Sequence, residues 1–80
     1  MMKIQILGPG CYNCQLLADK VQTAADELGL EYELEKVTDL NQITAMGVLM
    51  TPGLVIDGEV KVSGRVPPPS QIKQLLQDQP

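Results

Sequence analysis

Residues 1–14 read MMKIQILGPGCYNC, and the order of residue types in this stretch decides the fold. From Met2 to Leu7 apolar and polar side chains alternate, with Met2, Ile4 and Ile6 on one face and Lys3 and Gln5 on the other. A period of two marks a strand. Gly8-Pro9-Gly10 breaks it. After Cys11-Tyr12-Asn13-Cys14, the residues Leu16, Leu17, Val21, Ala24, Ala25 and Leu28 follow a helical period, so the spacing predicts a helix from about Tyr12 to Leu28. Gly29 stands where a helix-ending glycine belongs.

The two cysteines therefore sit where a strand gives way to a helix. The first N–H groups of a helix have no partner within it, and the macrodipole places partial positive charge there. A thiolate at Cys11 gains from both, so its pKa is expected to fall moderately below the free-thiol range. Cys14 lies one turn on, on the same side. Helical spacing leaves the two Cα atoms about 5 Å apart, which a disulfide accepts. No Lys, Arg or His lies close to the pair in sequence; folding could bring Lys61 or Arg65 near. Three readings compete. A structural staple would gain only about 2 kcal/mol from so short a loop, and a reducing cytosol would open it. Half of a zinc site would need carboxylates or a second chain to complete it. Thiol–disulfide redox chemistry is the reading that a CxxC at a strand-to-helix junction favours.

Working outward, Glu31–Val37 alternates again, with Tyr32 and Leu34 opposed to Glu31, Glu33 and Glu35. One side is wet, which suits a sheet edge. Thr38 or Asp39 can cap a short helix carrying Leu40, Ile43 and Met46, with Gln42 placed for a capping box and Gly47 at its end. Leu54-Val55-Ile56 is wholly apolar, as in a central strand covered on both faces. Asp57-Gly58 signals a hairpin into Glu59–Ser63, where Val60 and Val62 alternate against Glu59 and Lys61. Pro67-Pro68-Pro69 is a stiff connector to a last helix ending near Gln77, with Ile72, Leu75 and Leu76 inward. The order is β-α-β-α-β-β-α. It makes an α/β fold with a four-stranded mixed sheet and helices on both faces, its first half a right-handed βαβ unit.

Composition bounds the function. Eighty residues, 44% hydrophobic and 20% charged, make one soluble domain, 1–80. Ten acids against six scattered bases give a net charge of −4, and there are two Tyr but no Phe or Trp. Such a surface offers neither a phosphate-neutralising row nor a stacking platform, so nucleic acid is not expected as a partner. The longest apolar stretches run four or five residues, as in Met46–Met50, against about 20 for a membrane span. The N-terminus lacks a signal-peptide pattern, so a cytoplasmic protein is expected. With no histidine, imidazole catalysis and most zinc ligand sets are removed.

On these residues the chain resembles the thioredoxin superfamily, most closely its small, glutaredoxin-sized, redox-active disulfide proteins. The resemblance spans nearly the whole chain. It rests on Cys11-Tyr12-Asn13-Cys14 after the first strand, Thr51-Pro52 before the third, Asp57-Gly58 in the hairpin and Gly64 after the fourth strand. Taken alone, an X-Pro bond is cis in only about 5–6% of cases; the resemblance implies that Pro52 is cis and packs beside the disulfide. It also implies that Thr51 offers its backbone to an extended substrate segment. Tyr12 either borders the substrate groove or packs on the loop. Gly8 and Gly10 either admit a partner's backbone to the thiolate or are ordinary turn residues. The expected function is a dithiol oxidoreductase without bound cofactor. Its partners are protein disulfides or dithiols and a thioredoxin-reductase-like electron donor. The alternative is a soft-metal module holding Cu(I) on its thiolates, but such domains run β-α-β-β-α-β and end in a strand.

The chain departs from its relatives in ways that bear on substrate. Gly10 replaces the Trp usual before the first thioredoxin cysteine, and Tyr12-Asn13 replaces Gly-Pro between the cysteines. Glutaredoxins usually carry a lysine before the first cysteine and Gly-Gly after the fourth strand; here stand Pro9-Gly10 and Ser63-Gly64. Glutathione is therefore expected to be a poor substrate. Its mixed disulfides should turn over far more slowly than insulin disulfides, and glutaredoxin-like rates would contradict the weight given to these departures.

Overall fold

Element order in the computed structural model, which describes residues 1–78, is β1 (Met2–Leu7), α1 (Tyr12–Glu27), β2 (Tyr32–Val37), α2 (Leu40–Ala45), β3 (Gly53–Ile56), β4 (Glu59–Ser63) and α3 (Pro69–Gln77). The last two residues of the expected 1–80 domain lie outside the described residues. The strands form one sheet in the order β2-β1-β3-β4. β1 runs parallel to β2, from Met2 opposite Tyr32 to Leu7 opposite Val37. It runs antiparallel to β3, with Ile4 opposite Ile56 and Leu7 opposite Gly53.

Each face of the sheet has its own apolar cluster. On one face Ile4, Ile6, Leu54, Ile56 and Val62 pack against Leu17, Val21, Ala24 and Ala25 of α1 and Ile72 and Leu76 of α3. On the other, Leu7, Val37 and Val55 meet Ile43 of α2 and Val48. Leu54, Val55 and Ile56 are all buried because β3 is an inner strand with both faces covered. β2 lies at the edge, with Glu33 and Glu35 exposed. Gln5 is nearly buried beside it, and its Nε2 donates to Glu35 Oε1 at 2.8 Å.

Local signals set the ends of the elements. Leu28 is the last cap of α1, and Gly29 follows at φ +68°. Gly29 N–H donates to Asp26 O at 3.1 Å and Leu30 N–H to Ala25 O at 3.0 Å. That pair of bonds is a Schellman closure, which needs the left-handed conformation glycine adopts freely. Asp57 and Gly58 both have positive φ, as a two-residue type I′ hairpin requires. Asp57 is also tied to β1, its N–H donating to Lys3 O and its Oδ1 accepting from Lys3 N–H, both at 2.8 Å. Asp39 caps α2 by accepting from Asn41 N–H, and Pro69 occupies the first turn of α3.

One apolar residue of α2 stays exposed and one expectation is corrected. Leu40 is 62% exposed. α2 has only six residues and buries one of them, Ile43; Val48, in the following segment, fills the rest of that cluster. Val60 and Val62 do not share a face. Leu54 pairs with Val62 and Val55 with Val60, so β4 takes two steps where β3 takes one and Lys61 is the bulged residue. Val62 joins the α1–α3 cluster, whereas Val60 stays 39% exposed.

Gly29→Ala puts a Cβ on a left-handed residue, a penalty of about 1 kcal/mol. Urea denaturation should show that loss in midpoint with an unchanged slope and unchanged redox behaviour.

Candidate active site

The register brings three segments to one end of the sheet. Leu7 ends β1 beside Val37 and Gly53, and Gly53 stands opposite Ser63. The Gly8–Cys14 turn, the Met50–Pro52 loop and Ser63-Gly64 therefore meet at that end.

Cys11 is the N-cap of α1, with extended backbone at φ −66° and ψ 167°. Its Sγ takes the place of the usual capping oxygen and accepts from Cys14 N–H at 3.2 Å. Its carbonyl accepts from Gln15 N–H at 3.0 Å. Gln15 Nε2 in turn donates to Gly10 O at 3.2 Å and ties down the turn. Cys11 is exposed, Cys14 is only 4% exposed, and the two form a disulfide with Cα atoms 5.1 Å apart. The first turn of α1 carries no acidic residue to offset its positive end.

Lys61 and Arg65, the cations that folding could have brought to the pair, have partners elsewhere. Lys61 pairs with Glu59 at 3.3 Å, and Arg65 Nη1 donates to Gln71 Oε1 at 3.3 Å. Lys36 instead lines a cavity of about 30 Å³ beside Cys14, together with Ile6, Gly8, Gln15 and Thr38. Parallel pairing places Lys36 opposite Ile6 and so directs it to the α1 side of the sheet. That register is the signal from which Lys36 could have been found.

Gly8 belongs to the buried cysteine. A Cβ there would overlap Cys14 Sγ and lie 3.2 Å from Cys14 Cβ and 3.6 Å from Thr51 Cβ. Cys14 and Thr51 thus flank the same backbone position. The Thr51–Pro52 peptide bond is cis, with Thr51 half-buried and Pro52 buried. Ser63-Gly64 holds this loop: Gly64 N–H donates to Pro52 O at 2.8 Å, and Ser63 Oγ to Met50 O at 3.2 Å. Tyr12 is 77% exposed and does not pack on the loop. Leu49 and Met50, the end of the apolar run Met46–Met50, are exposed beside Thr51.

An exposed sulfur at a helix N-terminus, bonded to a buried sulfur one turn inside and set beside a proline loop, defines a dithiol–disulfide exchange domain. The order ends in α3 and includes α2, unlike the β-α-β-β-α-β order of the soft-metal alternative. The thioredoxin domain family matches residues 2–77. A thioredoxin of Methanothermobacter thermautotrophicus is 47% identical over 76 residues, covering 95% of this chain and 99% of that protein. A thioredoxin of Methanocaldococcus jannaschii is 40% identical over 76 residues, covering 95% of this chain and 87% of that protein. The chain belongs to the thioredoxin family. It is a thiol–disulfide oxidoreductase that exchanges its Cys11–Cys14 disulfide with protein partners. Among the described residues no helix is long and apolar enough to cross a membrane.

Unequal exposure makes the two thiols unequal reagents. In reduced single mutants, iodoacetamide should alkylate Cys14→Ser, which keeps Cys11, on the order of tenfold faster than Cys11→Ser near neutral pH. Faster reaction of the Cys11→Ser protein would reverse the roles.

Proposed function

We propose that Cys11 is the attacking thiol and Cys14 the resolving thiol of a disulfide reductase. The Cys11 thiolate attacks one sulfur of a partner's disulfide, and the other partner sulfur leaves as a thiolate and takes up a proton. Cys14, deprotonated, then attacks Cys11 Sγ. The Cys11–Cys14 bond forms, the bond to the partner breaks, and the partner leaves fully reduced with two electrons gained. Run backwards, the same steps oxidise a partner dithiol. The observation that carries this order is the exposed N-cap sulfur of Cys11 against the buried sulfur of Cys14.

In this reading Thr51 presents its backbone to an extended partner segment, with Pro52 fixing the loop and Tyr12 bordering the groove. The whole chain, 1–80, acts as one domain. A thioredoxin-reductase-like, flavin-dependent donor returns it to the dithiol. The working compartment is the cytoplasm, where thiols are kept reduced.

Equilibration in mixtures of reduced and oxidised dithiothreitol, followed by alkylation and mass measurement, should give a single two-electron transition with both cysteines protected together. Thiols that stay free in every oxidising mixture would sink the proposal. Cys14→Ser should accumulate mixed disulfides on Cys11, and Cys11→Ser should not.

A further inference from the structure

Gly8 lies where backbone, helix and loop crowd the buried sulfur. Its own position is fixed, because its N–H donates to Val37 O at 2.9 Å, just past the last β1–β2 pair. Its φ is not among the positive ones, so the conformation there does not call for glycine. The space does. A Cβ at residue 8 would overlap Cys14 Sγ, with Thr51 Cβ 3.6 Å away. Cys14 cannot retreat as a whole, since the next turns of α1 are anchored by the fully buried Leu17, Ala18 and Val21. What can yield is Sγ, by turning about χ1 away from the position from which it reaches Cys11.

We propose that Gly8 is a positioning residue for the resolving step: the missing side chain is what lets Cys14 Sγ stand in reach of Cys11. The inference deepens the exchange reading above and rests on it. In the step concerned, the Cys14 thiolate attacks Cys11 Sγ, the new disulfide forms, and the partner's sulfur departs as a thiolate. A side chain at residue 8 leaves the attack by Cys11 untouched, because Cys11 is exposed and held by the helix N-terminus. It slows closure, because misplacing a reacting atom by about 1 Å costs up to ~100-fold in rate. It also makes the closed disulfide easier to reduce.

Ellman's reagent separates the two steps. Attack by Cys11 on the aromatic disulfide releases one thionitrobenzoate, and resolution by Cys14 releases the second. Gly8→Ala should keep the first phase at the wild-type rate and slow the second on the order of 10- to 100-fold. Its dithiothreitol equilibrium should shift towards the dithiol. A second phase at the wild-type rate, or equal slowing of both phases, would overturn the proposal. Urea unfolding decides the matter even if Gly8→Ala folds poorly. The substitution should destabilise the disulfide form much more than the dithiol form, in which Cys14 Sγ is free to turn away from the new methyl group. Equal losses in both forms would also overturn it. Failure of the exchange reading looks different: the wild-type protein itself would release one thionitrobenzoate and keep the other bound.

Discussion

Parallel pairing of β1 with β2 is the constraint on which the rest of the molecule depends. A parallel neighbour cannot be reached by a tight turn, so the chain must cross back over the sheet, and α1 is that crossover. The helix therefore begins at the C-terminal end of β1, with its unpaired N–H groups and positive pole at that end of the sheet. Whatever residue opens α1 inherits that environment. Here it is Cys11, whose sulfur accepts the Cys14 N–H that a Ser or Asn oxygen would otherwise take. The same crossover lays Leu17, Val21, Ala24 and Ala25 on the sheet. The apolar burial that fixes the fold thus also aims the reactive sulfur at solvent.

Stability and reactivity are separated in space. The two apolar clusters lie on opposite faces of the sheet, and neither includes the cysteines. The disulfide closes a short loop, worth about 2 kcal/mol against the unfolded chain. Neither cluster is built on that bond, which suits a protein that alternates between dithiol and disulfide.

Most of the fold was legible because its signals are local. Alternation in Met2–Leu7, the apolar stripe from Leu16 to Leu28, Gly29 after the helix and Asp57-Gly58 each act within a few residues. The cysteine pair was legible for the same reason, since its place at a strand-to-helix junction needs no tertiary knowledge. What escaped depends on partners distant in sequence. Lys36 comes to line a cavity with Cys14 only through the β1–β2 register. The hydroxyl of Ser63 is used by Met50, 13 residues away. From the sequence Gly8 is either an ordinary turn residue or an opening for a partner's backbone, and its close neighbour Cys14 cannot be inferred from spacing alone. The exposure of Leu40 is not legible either, because a six-residue helix buries too little for its apolar spacing to fix every position.

The bulge at Lys61 shows how one such non-local feature serves the site. Continuing the pairs Ile56–Glu59 and Val55–Val60 without it would set Lys61 opposite Leu54, on the face that packs against α1 and α3. A lysine driven into that cluster would lose the hydration of its charge. The extra residue instead turns Val62 inward and leaves Lys61 partly exposed beside Glu59. It also shifts everything beyond it by one place. Ser63 pairs with Gly53 rather than falling opposite Pro52, which has no N–H to offer a ladder. Gly64 then falls where its N–H meets Pro52 O at 2.8 Å. A packing requirement in the core thereby sets the register that holds the proline loop beside the cysteines.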